Sequence, residues 1–430
     1  PIIVQIVDSG VDIDHEDLKS NIDLNRSLNG AIQGDPQPGG YFMPHGTMLS
    51  GIAAARAFNG VGVRGIAPFA KIAGSNWLVH QSLDGLDAAW LSGNGANEIA
   101  VTNNSWGTYY TIDTFYEEIM QEGVKNLRDG KGRVYIFASG NARVQNADAN
   151  TQYVINNRFA LVVSGLNHKN RVAEYSTPGA NVWITAYGGA SDFDDGPTIA
   201  TAYPSGDSTK TWDSDTKKNY TYAMAGTSAA APMVTGAVAL LLEACPNLGW
   251  RDVKYVLAKT AKKVDSNNSR WLTNQAGLHF NRNYGFGLID TKAAINMCQN
   301  GYSNLPSQKW VESNITLSKD INDTESVDIN VNHDIKIEWV EATVDIDTQN
   351  ASDLDIYLTS PSGTKVQLIQ SGTEVDEYHI PNGDWMSGGF RFSTGALLDE
   401  SSSGQWSVSV VNSKGVAATL KSVSLKIYGY

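Results

Sequence analysis

The sequence predicts two folds in one chain. An α/β doubly wound parallel sheet is expected over residues 1–298, and an all-β sandwich of jelly-roll or Greek-key type over 310–430, with 299–309 as the linker. Three observations carry this prediction. Before Cys298, short Val- and Ile-rich runs are unbroken rather than alternating, as strands buried on both faces of a parallel sheet require. Helical patterns lie between those runs, and such alternation builds doubly wound sheets. After "QNGYSNLPSQKW" (299–310), which has the turn residues and polarity of a linker, only short alternating strands with turn signals follow.

Taken in order, the first strands are "PIIVQIVDSG" (1–10), "KIAGSNWLV" (71–79), "EIAVTNNSWG" (98–107), "GRVYIFASGN" (132–141) and "FALVVSGL" (159–166). Helices are expected near 46–57, 84–93, 112–129, 228–243 and 249–263, with "DTKAAINMC" as the last before the linker. In the second half the strands are "WVESNITL", "KIEWVEATVDID", "DLDIYLTSP", "TKVQLIQSG", "GGFRFSTG", "GQWSVSVVN" and "ATLKSVSLKIYGY". Ligands of doubly wound sheets bind beyond the carboxyl ends of the strands. Asp8 and Asn141 both fall at such ends, which is the first sign of a shared site.

Length and composition narrow the classes. A chain of 430 residues exceeds one ordinary core, and 41% hydrophobic with 18% charged residues is globular composition. The net charge of −13 argues against a nucleic-acid partner and suits hard cations. No apolar run approaches the roughly 20 residues of a membrane span. The two cysteines, Cys245 and Cys298, have no metal or redox spacing and are either one disulfide or two buried thiols. Because Cys245 ends the long helix from Ser228 and Cys298 ends the last helix before the linker, one disulfide is predicted, and with it an oxidising setting. The start at Pro1, without Met or signal peptide, reads as a processed or trimmed product.

The chemistry concentrates in three short stretches. In "YAMAGTSAAAP" (222–232), Ser228 opens an apolar helix, and its ordinary reading is an N-cap. Of seven histidines, His45 alone lies in a Gly-rich, small-residue context that starts a helix, "PHGTMLSGIAAA". Asp8 ends a buried strand in "IVDSGVDIDHEDL", where a carboxylate needs a partner to offset desolvation. A serine needs a base, and the base needs a group that holds its tautomer.

The order "DSG", "HGT", "GTSAAAP", together with "ASGN" ending at Asn141, resembles the subtilisin family of serine peptidases over residues 1–298. The resemblance implies Ser228 as nucleophile, His45 as general base and acid, and Asp8 as orienting carboxylate. Asn141 and the Ser228 backbone N–H would form the oxyanion hole. It also implies substrate walls at Ser105, Trp106 and Gly107 and at Ala138, Ser139 and Gly140, although Trp106 by itself reads as a core residue. "DLDIYLTSPSGTKVQL" and "GQWSVSVVN" resemble the P domain of kexin-like convertases, and "GTSAAAP" agrees with that branch. A carbohydrate- or surface-binding sandwich is the alternative for 310–430.

Departures from the processing enzymes are equally specific. "PQPGGYFMPH" lacks the Asp pair expected before His45, "TYYTID" follows the wall where an acid-rich loop is expected, and Thr177 replaces a second-site calcium glutamate. Asp113 and Asp148 keep a preference for basic P1 residues open. One Ca²⁺ site is implied at Asp17, Asn59 and the carbonyls of Val61 and Val63. Asp345, Asp347, Asp353 and Asp355 read as a solvated strand face. The expected function is a secreted, extracellular serine endopeptidase of fairly broad specificity, acting on protein and peptide substrates and assisted by a pro-region or chaperone. The alternatives are a narrow kexin-like processing peptidase and a silent binding or chaperone module.

Overall fold

The computed structural model describes residues 1–41, 43–108, 114–190, 196–205, 219–373 and 383–430. Its first sheet has the order β3-β2-β4-β1-β5-β6-β7-β8. The strands are β1 (Ile3–Val7), β2 (Leu28–Asn29), β3 (Ile32–Gln33), β4 (Lys71–Ser75), β5 (Ile99–Asn104), β6 (Val134–Ala138), β7 (Ala160–Leu166) and β8 (Val182–Tyr187). All neighbours pair in parallel except β2 with β3. Each expected apolar run forms a strand. β8 was not expected, because Trp183 and Thr185 interrupt its aliphatic residues. Thr185 Oγ1 donates to Ser164 O on β7 at 2.9 Å, so the buried hydroxyl is satisfied inside the sheet.

Seven helices accompany it among the described residues: α1 (His45–Ala54), α2 (Trp77–His80), α3 (Leu83–Asp87), α4 (Phe115–Asn126), α5 (Thr227–Ala244), α6 (Trp250–Thr260) and α7 (Thr291–Gln299). α1 and α5 cover one face, where Leu49, Ala53, Val234 and Val238 meet Val4, Ile6 and Val101. The opposite face is covered by Leu86, Trp90, Ile119 and Val124 against Tyr135 and Phe137. α5 is apolar and long enough by composition to cross a membrane, but 78% of it is buried inside the fold. Small residues let α5 approach α1 closely: a Cβ on Gly236 would stand 2.9 Å from Ala53 O. Cys245 at the end of α5 is bonded to Cys298 in α7, with Cα atoms 6.5 Å apart, as the sequence predicted.

Two antiparallel two-stranded sheets follow, β9 (Ile199–Ala202) with β10 (Tyr220–Met224) and β11 (Leu272–Thr273) with β12 (His279–Phe280). The remaining strands are β13 (Lys309–Asp320), β14 (Thr324–Val331), β15 (Ile337–Thr348), β16 (Asp355–Thr359), β17 (Lys365–Ile369), β18 (Phe390–Thr394), β19 (Gly404–Val411) and β20 (Ala418–Gly429). They form two antiparallel sheets, β13-β20-β15-β18 and β14-β19-β16-β17. β14 was missed because polar Glu325, Asp328 and Asn330 mask the inward Val327, Ile329 and Val331. The acidic cluster lies partly on exposed faces, where Asp347 meets Lys421 at 3.0 Å.

The sandwich is docked through buried polar groups. Asn150 donates to Ser393 O at 3.0 Å and accepts from Ser393 N at 2.9 Å. Asn274 Nδ2 donates to the carbonyls of Ala396 and Leu398, and Trp183 lies 6.0 Å from Trp339. The 299–309 stretch is held along α6: Asp252 Oδ1 accepts from both Tyr302 OH and Leu305 N at 2.7 Å.

Candidate active site

Four loops leave the carboxyl edge of the sheet beside one another or join it from α1 and α5. Asp8 follows β1 and is fully buried. Its Oδ1 accepts from Ser9 N and from His45 Nδ1, both at 2.8 Å. Ser9 Oγ accepts from Gly46 N at 3.0 Å and so ties the Asp8 turn to the start of α1. The close approach needs a residue without a side chain, since a Cβ on Gly46 would stand 2.2 Å from Gly10 O. Burial disfavours the His45 imidazolium, but the Asp8 charge and hydrogen bond outweigh it, and the pKa lies above the ordinary 6.5. With its Nδ1–H committed to Asp8, His45 keeps Nε2 as the proton-accepting nitrogen.

Ser228 stands in the first turn of α5, whose N-cap Gly226 has φ +124°, a conformation a Cβ would strain. Asn141 is exposed at the end of the β6 loop. Its Oδ1 accepts from Thr227 N at 2.9 Å and Thr227 Oγ1 at 2.8 Å. That fixes the amide so that Nδ2 faces away as a donor, 3.3 Å from where a Cβ on Gly226 would sit. The helix N-terminus adds its positive end to the same place.

Pro232 explains how Ser105 joins the site. A proline inside a helix has no N–H for the carbonyl four residues back, here that of Ser228. Ser105 Oγ donates to that carbonyl at 3.1 Å, while Ser228 Oγ donates to Ser105 O at 3.2 Å. Ser105 Oγ in turn accepts from Asn103 Nδ2 at 3.0 Å, and Asn103 Oδ1 accepts from Thr235 Oγ1 at 3.0 Å. Two segments 123 residues apart are thereby clamped.

Of the expected walls, Ala138 and Ser139 are buried, Gly140 adopts φ +105°, and Gly107 is exposed. Trp106 turns inward: its Nε1 donates to Val7 O at 2.8 Å and its ring lies 4.3 Å from Trp77. The reading of Asp148 as a partner for basic P1 residues is corrected. It is buried, ion-paired with Arg282, and accepts from Asn150 N. Asp113 falls outside the described residues. Thr177 Oγ1 accepts from Ala142 N at 3.0 Å, bracing the Asn141 loop. Ser9, Asn103, Thr227 and Thr235 were not singled out beforehand, and Thr177 was read only as the residue that replaces a calcium glutamate. Only the "DSG" and "GTS" motifs carried a signal for two of them.

Asp17, Asn59, Val61 and Val63 do come together. Asn59 Nδ2 donates to Asp17 Oδ1 at 2.6 Å and Val63 N to Asp17 Oδ2 at 2.7 Å. Asp17 is fully buried and has no cationic side-chain partner among the described residues. No cluster of three or more metal-binding side chains occurs among them. A buried carboxylate without counter-charge, beside an amide that can turn its oxygen inward, is oxygen chemistry that suits Ca²⁺, although the loop presents the N–H of Val63 rather than a carbonyl to Asp17 here.

A parallel α/β sheet that joins a buried Asp–His pair to a serine at a helix N-terminus has the parts of a serine hydrolase site. Residues 1–287 match the subtilase family and residues 337–427 the proprotein convertase P-domain. The chain belongs to the subtilase family. It is 31% identical to human furin over 452 aligned positions, covering all of this chain and 54% of furin. It is 30% identical to Protease KEX1 of Kluyveromyces lactis, covering all of this chain and 56% of that protein. The chain thus spans about half the length of these curated relatives. The serine protease of Aeromonas sobria superposes with a TM-score of 0.88 at 26% identity, over all of this chain and 88% of that one. The same protease has been solved in complex with a chaperone, with a TM-score of 0.88 at 25% identity over the same shares of the two chains.

Proposed function

We propose that the chain is a secreted serine endopeptidase of fairly broad specificity. The observation that carries this reading is the 2.8 Å bond between buried Asp8 and His45 Nδ1, at the edge of the sheet that Ser228 and Asn141 share. Ser228 Oγ leaves its contact with Ser105 O and attacks the scissile carbonyl, and His45 Nε2 takes its proton. The oxyanion is held by the Ser228 N–H and Asn141 Nδ2, whose aim Thr227 sets. His45 then gives the proton to the leaving amine, and water releases the acyl group by the same route. The disulfide supports an extracellular setting. A pro-region or chaperone assisting folding is supported by the chaperone-bound Aeromonas sobria relative. The P-domain match favours, as second reading, a narrower processing peptidase.

The pH profile tests the pair. A general base must be neutral, so kcat/KM should rise with pH through the His45 pKa, with the midpoint of that limb above 6.5. Asp8→Asn removes the raising influence and leaves burial, so the limb should move to lower pH while kcat falls by about 10⁴. A limb that keeps its midpoint in the variant would exclude Asp8 as the partner of the base.

Asp17, Asn59 and the carbonyls of Val61 and Val63 would hold Ca²⁺, which would supply the counter-charge that Asp17 lacks. Chelation should then lower Tm, by mass action on the folded state, and Asp17→Ala should make Tm insensitive to chelator. Identical melting of the parent protein with and without chelator would exclude the site.

A further inference from the structure

We infer that Gln152 sets the choice of P1 side chain in this peptidase and selects uncharged ones. The inference rests on the endopeptidase reading above and specifies its substrate.

Gly107 and Gly140 belong to the two segments that the subtilase resemblance makes the walls of the substrate cleft, and the Gln152 side chain lies against both of them. A Cβ placed on Gly107 would stand 3.2 Å from Gln152 Oε1, and a Cβ placed on Gly140 would stand 2.9 Å from Gln152 Nε2. A single carboxamide therefore reaches from one wall to the other, and a side chain entering between the walls meets it as the floor. Gln152 is only 6% exposed, so this amide is not a mobile surface group. Its carbonyl accepts from Ile155 N at 3.1 Å and Asn156 N at 3.0 Å, which holds the backbone beneath it. On either side, Asn150 and Asn156 are tied to Ser393 and Arg391 of β18, so the sandwich braces the floor.

Among the described residues, which leave out Asp113, charge decides the selection. A lysine or arginine at P1 loses its hydration on entering a cleft and needs a carboxylate to replace it. Gln152 offers a donor and an acceptor but no charge. Asp148, four residues earlier, is committed to Arg282 and to Asn150 N. The Arg143 guanidinium, which donates to Asn283 Oδ1, has the wrong sign. The floor suits uncharged side chains of medium length, such as glutamine and methionine, whose ends meet an amide without stranding a charge.

The test uses peptides that differ only at P1 (Gln, Met, Leu, Lys, Arg), with kcat/KM measured for the parent protein, Gln152→Glu and Gln152→Leu. Glutamate keeps the shape of the side chain and adds the missing charge. The parent should cut after the uncharged residues at least about tenfold better than after lysine or arginine. Gln152→Glu should raise the ratio of basic to uncharged cleavage by on the order of 100-fold, and Gln152→Leu should leave basic residues rejected. Preference of the parent for lysine or arginine would overturn the inference, as would an unchanged ratio in Gln152→Glu with Ser228 still labelled by a fluorophosphonate. Failure of the parent itself to label would instead overturn the endopeptidase reading, and the inference with it. The parent profile decides the matter even where a variant does not fold.

Discussion

Ser228→Ala should abolish covalent labelling by a fluorophosphonate and lower kcat by on the order of 10⁶, the scale known for subtilisin when its own nucleophile is removed. The expected loss is this large because the serine, the base and the carboxylate act as one unit. Without an oxygen at position 228, His45 has no proton to accept, whatever the strength of its bond to Asp8. What survives is the contribution of Asn141 and of substrate binding. The fold should be unaffected, since the Ser228 Oγ bond to Ser105 O is a single neutral hydrogen bond and alanine fits a helix that already reads "SAAA". Labelling that persists at another residue in the variant would refute the assignment.

Replacing Cys245 and Cys298 together by serine should lower stability by about 4 kcal/mol, as loop-closure entropy gives for a sequence separation of 53 residues. Spread over 430 residues, that is roughly 5 °C in Tm. The bond joins the end of α5, which begins at Ser228, to α7, the last helix before the stretch held along α6. Loss of the bond frees the end of the helix remote from the nucleophile, so the stability loss should exceed any change in kcat. Mass spectrometry of the unreduced, alkylated protein provides the direct check. Two alkylated cysteines, or an unchanged Tm in the double variant, would exclude the bond as a stabilising element.

The parts of the molecule legible in the sequence are those governed by local chemistry. Unbroken Val and Ile runs can be satisfied only where both sheet faces are covered, so five strands of the parallel sheet could be placed by inspection. Asp8 at a strand end, His45 and Ser228 at helix starts, and Asn141 after a Gly-containing turn each carry a local signal. Their order along the chain completed it. Where the local signal is mixed, the element was missed: polar Glu325, Asp328 and Asn330 hide the apolar face of β14, and Trp183 and Thr185 interrupt β8.

Tertiary structure alone decided the groups that act across long separations. Pro232 announces a broken hydrogen bond in α5, but only the folded chain brings Ser105 to the orphaned Ser228 carbonyl, 123 residues away. Asp148 looked available for substrate until Arg282, 134 residues on, took its charge. Asp17 and the 58–63 loop were read as neighbours, yet the burial that leaves Asp17 without counter-charge depends on everything packed around it. Gln152 has no motif at all. It became the floor of the cleft because β5 and β6 end side by side and leave Gly107 and Gly140 one amide apart. Backbone periodicity and caps are written within a few residues of where they act. A buried polar group finds its partner by burial and distance, and these exist only once the chain has folded.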